Sequence, residues 1–161
     1  MNRRSFLSLA SVSALSVGAL GAAGMPALAA ETITPLKLSD AEWKKRLPPA
    51  SYDVLRHEGT EYPNTSPLLN EHRKGTFMCL GCDLPLFNSA WKFDSGTGWP
   101  SFFDVMPGHV LKKTDLSLGM DRTEYHCARC GGHQGHVFDD GPRPTGLRYC
   151  NNGVALKFIP A

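Results

Sequence analysis

The chain has little net charge: 17 Lys and Arg stand against 15 Asp and Glu in 161 residues. Setting aside Arg3 and Arg4, the only charged residues of the first 29, leaves 15 of each sign. A neutral remainder lacks the basic face that a nucleic-acid backbone or an anionic membrane surface selects, so neither partner is expected. Beyond two cysteine pairs there is no internal repeat, and no low-complexity tract follows the first 29 residues, which argues against a solenoid or a disordered chain. With 42% hydrophobic and 20% charged residues, the composition is that of one ordinary globular domain.

The first 29 residues also lack any acidic group. A basic start is followed by an apolar stretch from Phe6 to Met25, which Ser8, Ser11, Ser13, Ser16, Gly18, Gly21 and Gly24 keep only mildly hydrophobic. Ala27 and Ala29 then form a small-x-small cleavage site, so residues 1–29 read as a signal peptide removed on export, with no stable membrane association after cleavage. Asn2-Arg3-Arg4-Ser5-Phe6-Leu7 resembles the twin-arginine pattern, which implies export of the folded protein, most simply to the periplasm.

Ser39-Asp40-Ala41-Glu42 has the spacing of a capping box and predicts a helix over 40–47, ended by Pro48-Pro49. A second helix is expected from Ala50 to His57, with Tyr52 and Leu55 on one face and Gly59 as its stop. From Gly75 onward the segments are short, β-branched or aromatic and broken by Gly, Pro, Asn and Asp. Strands are expected at 76–80, 110–113, 122–128, 147–150 and 154–159, in antiparallel sheets.

The cysteines say most. Cys79-Leu80-Gly81-Cys82 and Cys127-Ala128-Arg129-Cys130 are two C-x-x-C knuckles, each followed by residues able to turn the chain, Asp83 in one case and Gly131-Gly132 in the other. Two residues between thiolates let both sulfurs face one ion, so two knuckles supply four tetrahedral ligands for a structural zinc. Two disulfides or a thioredoxin-type redox pair are the alternatives, and neither explains why the knuckle occurs twice. Cys150 is left over. As a strand residue it would share a face with Arg148, whose charge favours the thiolate, while Asn151 and Asn152 offer amide donors and His133 and His136 are candidate proton donors. Oddness alone leaves a buried small hydrophobe open.

Three further runs narrow the choice: Ser95-Gly96-Thr97-Gly98-Trp99-Pro100-Ser101-Phe102, Gly132 through Pro142, and Thr145-Gly146-Leu147-Arg148-Tyr149-Cys150. In this order, and with both knuckles in place, the chain resembles the methionine-R-sulfoxide reductases of the B type from Leu47 to Ile159. That resemblance implies a mainly β fold of two antiparallel sheets, a β-tent with short N-terminal helices and one structural zinc remote from the active site. A lead over 30–46 would precede a catalytic domain over 47–161. It also implies reduction of methionine-R-sulfoxide, free or in proteins, through a sulfenic acid on Cys150, and hence repair of oxidised envelope proteins. His136, with His133 beside it, would deliver the proton to the departing oxygen, and Trp99 would form the wall that reads the epimer. Asn152 and Arg148 would complete the substrate site.

Thr97 stands where many relatives carry a second, resolving cysteine, so recycling would fall to an external thiol reductant such as a thioredoxin-like carrier. Gln134 replaces a leucine common in the family and is expected to put a polar group near the pocket, and Gly153 replaces a common serine. A zinc-ribbon module that binds a protein without catalysis, or a disulfide-stapled structural protein, would use the same knuckles differently.

Overall fold

The computed structural model describes residues 32–161; the leader, with Arg3, Arg4, Ala27 and Ala29, lies outside the described residues. Helix α1 spans Asp40–Arg46, opened by a capping box in which Ser39 and Glu42 bond reciprocally. Leu47 is extended, as a residue before proline must be, and ends it. Pro49 then sits at the first turn of α2, Pro49–His57, where its missing N–H costs nothing. Helix α2 buries Ser51, Tyr52, Val54 and Leu55. It does not stop at Gly59: the left-handed residue is Glu58, with φ of 59°, and its carboxylate pairs with Lys113 on a neighbouring strand.

The body is mainly β, in two antiparallel sheets. The smaller has the order β2 (Pro85–Asn88), β1 (Gly75–Cys79), β9 (Leu156–Pro160). The larger runs β3 (Lys92–Phe93), β4 (Ser101–Phe102), β8 (Arg148–Asn151), β7 (His133–Phe138), β6 (Arg122–Cys127), β5 (Val110–Asp115). Every segment expected to be extended contains a strand, shifted by a residue or two, except that Gly153–Ala155 is a 3-10 turn ahead of β9. Strands β2, β3, β4 and β7 have no advance signal. β7 is the instructive one, since His-Gln-Gly-His has weak strand preference and is extended because β6 and β8 pair with both its edges.

Aromatic side chains join the sheets. Phe77 and Phe87 from the small sheet meet Phe102, Tyr125 and Tyr149 from the large one, with Phe87 and Phe102 stacked at 4.1 Å and Tyr125 edge-on to Tyr149 at 5.3 Å. All five are buried, and such pairs add about 0.5–1.5 kcal/mol each beyond area burial. Among the described residues no helix is long and apolar enough to cross a membrane.

Candidate active site and metal centre

Both knuckles make the same turn. Cys79 ends β1 and Cys127 ends β6; four residues on, the amides of Asp83 and Gly131 donate back to the Cys79 and Cys127 carbonyls at 2.9 and 2.8 Å, with Asp83 and Gly131 both left-handed. The four Sγ atoms lie within 4.8 Å of one another, with Cys79 to Cys130 at 3.7 Å and Cys82 to Cys127 at 3.4 Å. These spacings far exceed a disulfide's ~2.05 Å. They suit a tetrahedral ion with bonds of about 2.3 Å to sulfur, which sets the sulfurs about 3.8 Å apart. The donor set therefore fits a metal. A dication among four thiolates carries a net negative charge, and three arginines surround the turns: Arg46 donates to the Gly81 carbonyl at 2.7 Å, Arg56 to that of Cys130 at 3.0 Å, and Arg129 to that of Cys82 at 3.2 Å. Arg46 and Arg56 belong to α1 and α2, so the helices are docked on the knuckles.

Cys150 lies in the middle of the large sheet. Its register partners are His136 on β7 and Ser101 on β4, which puts three side chains of one row on one face. A cleft of about 140 Å³ opens there, lined by Trp99, His136, Phe138, Cys150 and Asn152 together with Thr60 and Arg122. The 3-residue spacing of His133 and His136 would send them to opposite faces of a regular strand. They share a face because the pairing of β7 with β6 slips between Tyr125 and His126, a bulge that takes up Gln134, and the two rings meet edge to face at 5.5 Å. Gly135 is required at this crossing, since a Cβ there would sit 1.9 Å from the Cys150 carbonyl oxygen.

Each histidine is held by a carboxylate that belongs to none of the sequence motifs. His136 Nε2 lies 2.7 Å from Asp115 Oδ2, which also receives Arg122 at 2.7 Å. Ser117, then His136, hold the Asp115 carboxyl far below the usual range. An ionised carboxylate only accepts, so Nε2 carries hydrogen; burial keeps the imidazole below its ordinary pKa, with Asp115 pulling the other way. The neutral ring then offers Nδ1 as a proton acceptor. His133 is deeper, with Nδ1 2.7 Å from Glu124 and Nε2 buried without a partner. It lines not the Cys150 cleft but the adjoining one, which His136 also borders. Burial works to raise Glu124, but the bonds from His133 and His126 outweigh it and leave the carboxyl below its usual value. Asp115 stands opposite Arg122 across the β5–β6 hairpin, a pairing that only the observed register reveals.

Trp99 is fixed by its Nε1 donating to the Glu61 carbonyl at 3.1 Å. Asn152 is buried and used at both ends: Oδ1 accepts from the Glu61 amide at 3.0 Å, and Nδ2 donates to the Gln134 carbonyl at 3.1 Å. Gly153 leaves room for Ser66, whose Oγ would stand 1.9 Å from any Cβ placed there. Arg148 forks onto Asp140 at 2.7 and 2.8 Å and stacks on Phe138 at 4.3 Å; it backs Cys150 without lining the cleft. Thr97 Oγ1 is 4.0 Å from Cys150 Sγ and joins a hydroxyl chain through Ser95 to Ser101, each link 2.8 Å. Gln134 does not point into the pocket; its amide Nε2 faces Cys79 Sγ at 3.4 Å.

Burial pushes the Cys150 thiol up, while Thr97, Arg148 and Ser101 act to lower it. Alkylation of the free protein by iodoacetamide should therefore rise with pH through a midpoint above the ordinary thiol value, and Arg148→Ala, which removes a charge that favours the thiolate, should move that midpoint further up. A midpoint near neutrality, or one indifferent to Arg148, would contradict this balance.

Comparison with known proteins places this geometry. Residues 47–160 match the SelR domain. Over 123 residues the chain is 55% identical to the peptide methionine sulfoxide reductase MsrB of Agrobacterium fabrum, covering 76% of this chain and 91% of that protein. It is 54% identical to the MsrB of Leptospira interrogans over 121 residues, covering 74% and 92%, and 49% identical to that of Thiobacillus denitrificans over 123 residues, covering 76% and 93%. A SelR match through the whole strand-rich body, with relatives at about half identity across it, shows that the chain belongs to the MsrB family.

Proposed function

We propose that the protein reduces methionine-R-sulfoxide to methionine, with Cys150 as nucleophile. The observation that carries this reading is the pairing of Cys150 with His136 across β7 and β8, both lining a cleft walled by Trp99. In the resting site Cys150 is a thiol and His136 Nδ1 an acceptor. Transfer of the thiol proton to Nδ1 makes an imidazolium that Asp115 stabilises and a thiolate that attacks the electrophilic sulfur of the sulfoxide. The imidazolium returns the proton to the sulfoxide oxygen. That oxygen, now a hydroxyl, passes to Cys150 as both its bond to the substrate sulfur and the newly formed sulfur–sulfur bond break: the substrate sulfur is reduced by two electrons and Cys150 is oxidised to a sulfenic acid. His133 fixes the ring beside it, and the Trp99 plane packs the substrate methyl so that only one epimer presents its oxygen to His136.

The other four cysteines lie in the knuckles, and Thr97 stands beside Cys150. One external thiol therefore condenses with the sulfenic acid, releasing water and leaving a mixed disulfide; a second frees Cys150 as thiol. A thioredoxin-like carrier has the chemistry for both steps. The knuckles would hold one zinc, which closes the fold around Cys79, Cys82, Cys127 and Cys130 and takes no part in the reaction. Turnover of the separate epimers with a chemical dithiol tests the assignment: the R epimer should be consumed and the S epimer should not, with Cys150→Ser reducing the rate by at least 10³-fold. Equal use of both epimers would overturn it. A Cys150→Ser protein that keeps its biological activity would instead favour a zinc-ribbon binding module.

The leader supports export of the folded, metal-loaded protein and a role in repairing oxidised envelope proteins. Replacing Arg3 and Arg4 together by lysine should strand active precursor in the cytoplasm; unchanged export would mean an ordinary secretory signal.

A further inference from the structure

Four thiolates around a dication leave negative charge in the interior, and a buried charge needs donors. The arginines reach only the carbonyls of the turns. Cys79 is fully buried, and the polar side-chain group against its sulfur is the Gln134 amide, Nε2 to Sγ 3.4 Å. Gln134 is itself fully buried and its Oε1 has no partner. The amide's orientation is fixed by its neighbours: Cys79 Sγ and, at 3.5 Å, the Gly132 carbonyl are both acceptors, so the NH₂ end must face them and the oxygen is left over. An apolar side chain would fill this space without stranding an oxygen. The side chain points this way because of the bulge at Gln134, which keeps His133 and His136 on the opposite face.

We propose that Gln134 is a positioning residue of the metal centre, whose side-chain N–H donates to the Cys79 thiolate and protects that sulfur from electrophiles and oxidants. The inference rests on the reading of the knuckles as a zinc site. A thiolate that accepts a hydrogen bond holds its electron pairs more tightly, so it is a poorer nucleophile and a slower point of entry for ligand loss. In a chain whose single free thiol is meant to be oxidised in every cycle, the distinction between Cys150 and the metal-bound sulfurs has to be maintained chemically. The Gln134 carbonyl meanwhile accepts from both the backbone and side-chain amides of Asn152, at 2.8 and 3.1 Å, so one residue ties the metal centre to the floor of the cleft.

The test begins with metal content: one zinc per native chain establishes the reading on which the inference rests, and metal-free protein with disulfides in the knuckles refutes that reading instead. The zinc-loaded protein is then treated with excess hydrogen peroxide or N-ethylmaleimide, and zinc release is followed with a colorimetric chelator. Gln134→Met, close in volume but without a donor, should release zinc at least fivefold faster than the parent. Release from the Met variant at the parental rate overturns the proposal. A second measurement needs no variant. In the unsubstituted protein loaded with cadmium-113, NMR should detect a coupling between the metal and a Gln134 side-chain amide proton through the N–H···S bond; a well-resolved amide without that coupling overturns the proposal as well.

Discussion

The site depends on how closely β7 lies against β8. At Gly135 the two backbones approach so tightly that even a methyl group would collide with the Cys150 carbonyl, and this contact sets the register that puts His136 opposite Cys150. Just before it the chain bulges at Gln134, where the pairing with β6 slips. The slip brings His133 onto the face of His136 and turns Gln134 to the other side, against Cys79. A regular strand would have split the histidines and sent an amide into the cleft.

Charge is distributed in two separate arrangements. Around the cleft, Asp115 and Glu124 each orient a histidine, and Arg122 steadies Asp115. Around the knuckles, Arg46, Arg56 and Arg129 bond to the turn carbonyls and fasten α1 and α2 to the sheet end. On the proposed mechanism the first arrangement would place protons for Cys150, whose thiol burial pushes up against the opposing effect of Thr97, Arg148 and Ser101. The second would offset the negative charge of a metal held by the four knuckle cysteines.

Where chemistry demands fixed spacing, the sequence was readable. Each Cys-x-x-Cys pair closes the same turn, and the Ser39–Glu42 box opens α1 as its spacing requires. Cys150 and Trp99 were identifiable from their motifs and line one cleft with His136. Features set by partners distant in sequence were not readable. Gly59 was the expected helix stop, yet Glu58 takes the left-handed conformation and forms an ion pair with Lys113. β7 has weak strand character and depends on its two neighbours, and the direction of Gln134 depends on a bulge that no local propensity encodes. Asp115 and Glu124 are ordinary charged residues until β5 and β6 place them beside β7.

On the proposed mechanism Cys150 alone carries the redox chemistry while the four knuckle cysteines stay with the metal. Native mass spectrometry of the zinc-loaded protein after one turnover with the R epimer, in the absence of reductant, tests it most directly. The expected product is a chain heavier by one oxygen atom, placed on Cys150 by a dimedone-type probe, with zinc still bound. A chain that has formed a disulfide between Cys150 and a knuckle cysteine and has lost its zinc would contradict it.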